Sequence, residues 1–373
     1  MTPHPGSTTV QSLTYGDVKA ATDRIAGGVR PVTLAPLDPD AIRTGHRDPL
    51  DDRPEQPCDV WVALEYMQHT GSFKARGALN FLQAHREAGT LPAAGVTIAS
   101  GGNAGLACAW AAKQYDVPAT VFLPATAPQV KVERLLSYGA DVRLVGTEYA
   151  DALTACETFA AETGALTSHA YDHPLIAAGA GTLLDEIRRH IPDLDTVVVA
   201  VGGGGLFTGV ATAAQEHGIR TIAVEPEHCR ALNAALEAGH PVDVPVSSVA
   251  ADSLGARRTS EMALHAARQD RVHSVLVSDD GIVAARQALW DHRRIAVEHG
   301  AATALAALLA DDQHRPDRDL CLPTAPGRSY RPGNREKVCV VLCGANTDPT
   351  TLCAPLAPSG RPHTANAPHS PVA

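Results

Sequence analysis

No two of the eight cysteines form a CxxC pair or a zinc-like spacing. Neither a disulfide framework nor a structural metal is therefore indicated, and the cysteines are expected to serve mostly as reduced, buried, small apolar residues. The chain also lacks an excess of positive charge. With 31 basic against 41 acidic residues the formal net charge is -10, so no basic field exists to hold a nucleic acid. No apolar stretch reaches membrane-spanning length, and Met1 to Gln11 has neither the charged opening nor the apolar run of a signal peptide. A soluble cytoplasmic protein with no membrane association is expected. HExxH is missing as well. His169 and His173 have the i, i+4 spacing of two ligands on a helix, but Pro174 follows at once, and a metal reading is set aside.

The pattern that is present belongs to the α/β class. The 45% hydrophobic content over 373 residues suits a globular enzyme of one large or two modest domains. From Gly95, short β-rich runs alternate with Ala-rich stretches: VTIAS, NAGLACAWAAKQY, ATVFLP, APQVKVERLLSYG, DVRLVG. A second series has TVVVAVGGGG, a helical stretch from Leu206 to His217, RTIAVEP and, near the end, KVCVVLCGAN. Two mainly parallel α/β units are predicted. Asp38 to Pro57 and Asp311 to Glu336, rich in Asp, Arg, Pro and Gly, read as exposed insertions, and the last twenty or so residues as a loose tail.

Three segments carry chemistry. The run Val201-Gly202-Gly203-Gly204-Gly205-Leu206 follows an apolar strand and opens a helical stretch, where consecutive backbone N–H groups can enclose a phosphate. It is not GxGxxG and lacks the Lys-Ser/Thr of a nucleotide loop, so a dinucleotide or ATP site fits poorly; a flexible turn is the alternative. Ser100-Gly101-Gly102-Asn103-Ala104-Gly105 is a second strand-to-helix junction, open to both anion binding and simple packing. Two such turns suit a ligand with two anionic ends. Lys74, in GSFKARGALNFL, has apolar neighbours that would favour a neutral, nucleophilic amine, although a solvated surface lysine is the commoner outcome.

Taken together, GSFKARGA, SGGNAG, VGGGGL, VEP and LCGAN, in this order and spacing, resemble the fold-type II (tryptophan synthase β-like) pyridoxal-phosphate (PLP) enzymes. Within them the chain is similar to the serine/threonine dehydratase group, which includes threonine ammonia-lyases and serine racemases, from about Val32 to Asn346. The resemblance implies two open α/β domains with the site between them. Residues 1–94 and 169–350 would form a discontinuous large domain that binds PLP, 95–168 a small domain, and 351–373 a flexible tail. It further implies Lys74 as the Schiff-base lysine and acid/base at Cα, with Phe73 beside it. Gly202, Gly203, Gly204 and Gly205, with Leu206, would hold the cofactor phosphate, Asn103 the phenolic oxygen, and Cys343 would face the pyridine nitrogen. Ser100, Gly101, Gly102, Asn103 and Ala104 would receive the substrate carboxylate. Glu298 is expected near the ring, or else as a carboxylate at a helix N-terminus. A homodimer or homotetramer acting on a small amino acid is implied.

The implied reaction is dehydration and deamination of an L-β-hydroxy amino acid such as L-threonine or L-serine. Several positions depart from relatives. Gly101 stands where racemases carry a second serine, which disfavours racemisation. Ala104 stands where biosynthetic threonine deaminases commonly have histidine, which leaves the substrate open. Some relatives bind a divalent cation through the VEP glutamate and an acidic residue six positions later; here these are Glu225 and Ala231, so a cation and a hydrogen-bonding carboxylate are equal readings of Glu225. β-Replacement on the same kind of substrate is the main alternative reaction. A threonine synthase-like enzyme fits less well, because the lysine motif is SFKARG rather than KDRG. A non-catalytic amino-acid-binding regulator is the remote alternative.

Overall fold

The computed structural model describes residues 12–38, 57–309 and 330–353. The chain enters with α1 (Tyr15–Ile25), whose start is fixed by a reciprocal cap: the Thr14 hydroxyl accepts from Asp17 N, and the Asp17 carboxylate accepts from Thr14 N. Strands β1 (Leu34–Pro36) and β2 (Asp59–Ala63) precede α2 (Lys74–Glu87). A first alternating series then runs β3 (Val96–Ala99), α3 (Asn103–Lys113), β4 (Ala119–Leu123), α4 (Gln129–Ser137), β5 (Asp141–Leu144), α5 (Tyr149–Thr163) and β6 (Leu166–Thr167). The second series begins with α6 (Pro174–His190), β7 (Thr196–Ala200), α7 (Gly205–Glu216), β8 (Arg220–Pro226), α8 (Ala231–Ala238), α9 (Ala251–Leu254) and α10 (Glu261–Ala267). It ends with β9 (Val272–Val277), α11 (Asp279–Arg293), α12 (His299–Leu309), β10 (Lys337–Val341) and α13 (Thr350–Cys353).

The first series builds a four-stranded parallel sheet in the order β5-β4-β3-β6. The other strands form a six-stranded sheet, β1-β2-β10-β7-β8-β9, parallel except where β1 runs against β2. This is the mainly parallel α/β architecture expected from the sequence. Strand β7, TVVVA, buries all five of its residues, four of them apolar, as in a parallel sheet covered on both faces. The late strand β10 inserts between β2 and β7, so the segment after it lands beside the start of α2. Among the described residues no helix is long and apolar enough to cross a membrane.

Helix α2 joins the two sheets. Its apolar face, with Ala75, Ala78, Leu79 and Leu82, enters the core of the four-stranded unit against α3. On its other side Arg76, fully buried, forks onto two carboxylates. It reaches Glu65 at 2.6 and 3.1 Å, in the turn after β2, and Glu186 of α6 at 2.6 and 3.0 Å. Paired forks of this kind hold position as well as charge.

One sequence expectation shifts here. The segment after Asn346 does not become a tail at residue 351. Arg286 donates to Thr347 Oγ1 and Thr351 Oγ1, and α13 buries Leu352; residues 354–373 lie outside the described residues. The proposed insertions at 38–57 and 311–336 fall largely outside them as well.

Removal of Arg76 tests the anchor. Arg76→Met leaves the Glu65 carboxylate buried without its partner, which costs about 3–5 kcal/mol. Urea unfolding should show that loss, and Glu65→Gln added to Arg76→Met should recover part of it.

Candidate active site

In open parallel sheets the strand C-terminal ends are where ligands bind, because loops and helix N-termini converge there. The loops after β3, β7 and β10 and the start of α2 meet around a cavity of about 650 Å³. Phe73 and Lys74 line it from α2, and Ser100, Gly102, Asn103 and Ala104 from the start of α3. Gly202 to Leu206 line it after β7, Glu298 and Cys343 line it as well, and the segment Ala251 to Arg258 forms a further part of the wall. Gly101 belongs to the same loop but is not among the lining residues; a Cβ there would come 2.6 Å from Leu123 Cδ2.

Lys74 opens α2 with its ammonium packed 4.6 Å from the centroid of the Phe73 ring, and Nζ donates to Ala170 O at 3.0 Å. Burial pushes its pKa down to about 8, partly opposed by the Glu298 carboxylate. A minor neutral fraction therefore exists at neutral pH and grows as the pH rises towards 8, and the neutral amine is a nucleophile.

The glycine run is shaped by close neighbours. Gly204 has φ +104°, a conformation that side-chain-bearing residues rarely adopt, and it directly precedes α7. A Cβ on Gly203 would overlap the ring of Tyr171, so this loop and the segment after β6 can approach only because the side chain is missing. Tyr171 is itself held by its hydroxyl, which donates to Arg258 O at 3.1 Å. The 12-residue α7 directs its N-terminus at the loop, the arrangement in which backbone N–H groups and the helix dipole favour an anion.

Asn103 begins α3 and its Nδ2 donates to both oxygens of Glu298, at 3.0 and 3.2 Å. Burial pushes the Glu298 carboxyl up, against the lowering by Asn103. The carbonyl of Glu298 accepts from Ala301 N and Ala302 N at the start of α12, while its side chain faces the cavity. Cys343 sits just past β10, 4% exposed, and its carbonyl accepts from Phe73 N at 2.9 Å. Burial, with Glu298 nearby, pushes its thiol up, so it stays protonated and neutral.

Glu225 lies elsewhere. Fully buried at the end of β8, it accepts from Leu232 N at 2.7 Å and Asn233 N at 2.8 Å at the start of α8. Those bonds support the hydrogen-bonding reading. Among the described residues no group of three or more His, Cys, Asp or Glu is placed to hold a metal ion. His169 and His173 are not on a shared helical face: His169 Nδ1 accepts from Tyr171 N and Asp172 N, and His173 caps α6 by accepting from Leu175 N.

Sequence reasoning overlooked the segment 168–171 and two residues of α4. Ala170 contributes only a carbonyl, and Tyr171 a ring packed on a glycine, neither of which has a side-chain signature for binding. Their signal was position, since they follow the end of a parallel strand. Lys131 of α4 pairs with Asp252 at 2.7 Å on the cavity wall, and Arg134 reaches Asn346 at 2.7 Å.

A family model described as pyridoxal-phosphate dependent enzyme matches residues 48–325. The chain is similar to an L-threonine ammonia-lyase of Geobacter sulfurreducens, 38% identical over 254 residues that cover 67% of this chain and 62% of the relative. The chain thus spans less than two thirds of that relative's length. It is also similar to a serine dehydratase-like protein of Homo sapiens, 34% identical over 291 residues that cover 77% of this chain and 85% of the other. Among solved structures, maize serine racemase matches with a TM-score of 0.76 at 27% identity, covering 92% of this chain and 96% of that one. With residues 48–325 matched and the fold similar to maize serine racemase over 92% of the chain, the chain belongs to the fold-type II pyridoxal-phosphate dependent enzymes.

Proposed function

We propose that the protein eliminates the β-hydroxyl and the amino group of an L-β-hydroxy amino acid such as L-threonine or L-serine, releasing a 2-oxo acid and ammonia. The observation that carries this reading is a buried lysine amine sharing one cavity with a glycine-lined helix N-terminus and a neutral thiol. The cavity residues fit the family's cofactor. Gly202 to Gly205 and the start of α7 would take its phosphate, Lys74 its aldehyde, Asn103 its phenolic oxygen and Cys343 its ring nitrogen. The cavity volume leaves room for a small amino acid beside it. When bound, PLP supplies an electron sink for the charge left at the substrate Cα.

The chain's own groups do the rest. The junction at Ser100, Gly102, Asn103 and Ala104 would receive the substrate carboxylate at the start of α3. Lys74, whose amine is neutral in part at physiological pH, would take the Cα proton. Cys343 is a weak, neutral partner that cannot hold a proton on the ring nitrogen as an aspartate would. The sink is then moderate, and prompt loss of the β-hydroxyl is favoured over transamination. Racemisation needs a second proton carrier opposite Lys74. At Gly101 a serine would have to displace Leu123, which supports elimination over inversion at Cα.

Incubation with L-threonine, L-serine and L-threo-3-hydroxyaspartate, each alone, tests the reading. At least one should yield 2-oxo acid and ammonia in equal amounts. Accumulation of the D-isomer without ammonia, or incorporation of added sulfide or amine at Cβ in place of 2-oxo acid, would contradict it. A carboxylate at the thiol position should hold the ring proton. Cys343→Asp is expected to slow elimination at least about tenfold, equal to about 1.4 kcal/mol, and to raise the share of transamination products; an unchanged product ratio would remove the thiol from the account.

A further inference from the structure

Asn346 and Arg134 have no role in the reaction described so far, yet they determine how Asn103 presents itself. Arg134, on the exposed side of α4, donates Nη1 to Asn346 Oδ1 at 2.7 Å. Arginine has only N–H donors, so the atom of Asn346 facing it must be the oxygen. The nitrogen of Asn346 then points the other way and donates to Thr70 O at 2.8 Å and to Asn103 Oδ1 at 2.6 Å. Thr70 O can only accept, so both ends of Asn346 are fixed. Asn103, with its oxygen committed to Asn346, turns its nitrogen to Glu298 on the cavity wall.

This order matters because a side-chain amide is nearly symmetric in shape, and a flip exchanges donor for acceptor at little steric cost. Glu298 alone does not prevent that flip. Burial raises its pKa, and a protonated carboxyl can donate to an amide oxygen as well as accept from an amide nitrogen. The surrounding backbone is built around Asn346: Thr70 adopts φ +64°, uncommon for a β-branched residue, and Gly71 has φ +77°, with a Cβ there 2.7 Å from Asn346 Oδ1. Ala345 N donates to Gly71 O at 2.9 Å and holds the two segments together.

We propose that Asn346, oriented by Arg134, is a positioning residue that keeps Asn103 turned to the cavity as a hydrogen-bond donor, so that the phenolic oxygen of the bound cofactor is held as an anion. The inference rests on the role proposed for Asn103. Donation to the charged form of an oxygen favours that form, and donation lost or reversed favours the neutral phenol.

Asn346→Asp is the direct test, because it keeps the shape and still accepts from Arg134 but can no longer donate to Asn103 Oδ1. Asn103 should then turn its nitrogen towards residue 346 and its oxygen towards the cavity. In the cofactor-loaded protein the visible absorption band should lose intensity to the near-ultraviolet band of the neutral form, and its titration midpoint should move by about one pH unit or more. Arg134→Met should move both readouts in the same direction by less, and Arg134→Lys, which restores a group that only donates, should return them to the wild-type values. A wild-type spectrum and midpoint in both Asn346→Asp and Arg134→Met would overturn the proposal, even if turnover fell. Should Asn346→Asp fail to fold, the Arg134 pair decides alone, since that side chain is exposed. The wild-type spectrum reports on the cofactor reading and the variant-minus-wild-type difference on the relay, so the two fail separately.

Discussion

The arrangement depends on where α2 begins. Arg76 fixes that point by forking onto Glu65 and Glu186 while fully buried, and Lys74 stands two residues earlier at the first position of the helix. One carboxylate belongs to the turn after β2 and the other to α6, so the start of α2 is tied to the six-stranded unit. The opposite face of the same helix is sunk in the core of the four-stranded unit. A helix held from both sides leaves its first side chain little freedom, and a nucleophile gains most from being held in place. Buried ion pairs often do not repay their desolvation, and well-packed hydrophobic replacements of such triads are often no less stable. What the charges add is direction, because a guanidinium fork accepts two carboxylates in only a few geometries.

Inside the cavity the dominant electrostatic force is loss of water. It lowers the Lys74 ammonium to about 8 and raises the Cys343 thiol and the Glu298 carboxyl. All three shifts favour the uncharged form, as expected where charge is poorly solvated. An amine that is neutral in part, a neutral thiol and a carboxyl raised by burial thus surround one cavity with less charge than the same groups would carry in water.

The parts of the fold and site legible in the sequence were those in which one short segment does the work alone. VGGGGL between β7 and α7 and SGGNAG between β3 and α3 each announce a strand-to-helix junction by local residue type, and Lys74 stands in a mostly apolar motif at a helix start. Their function became readable only as a set, through their resemblance to one family. What stayed hidden were partners brought together by topology. Arg76 was visible in its motif, but its partner Glu186 lies 110 residues away, and Arg134 and Asn346 are separated by 212. Ala170 acts through its carbonyl, for which no residue type is diagnostic. For Glu225 the sequence left two readings, and the start of α8, which supplies its hydrogen bonds, exists only once β8 and that helix are folded together.

The proposed chemistry requires Lys74 to be the amine that captures the cofactor, poised by its burial. Capture of PLP by the apoprotein, followed through the visible band as a function of pH, measures this directly. The rate should climb as the ammonium loses its proton, reach half its plateau near pH 8, and vanish in Lys74→Ala. A midpoint near 10.5, the value of an unburied lysine, or a band that survives Lys74→Ala, would contradict it.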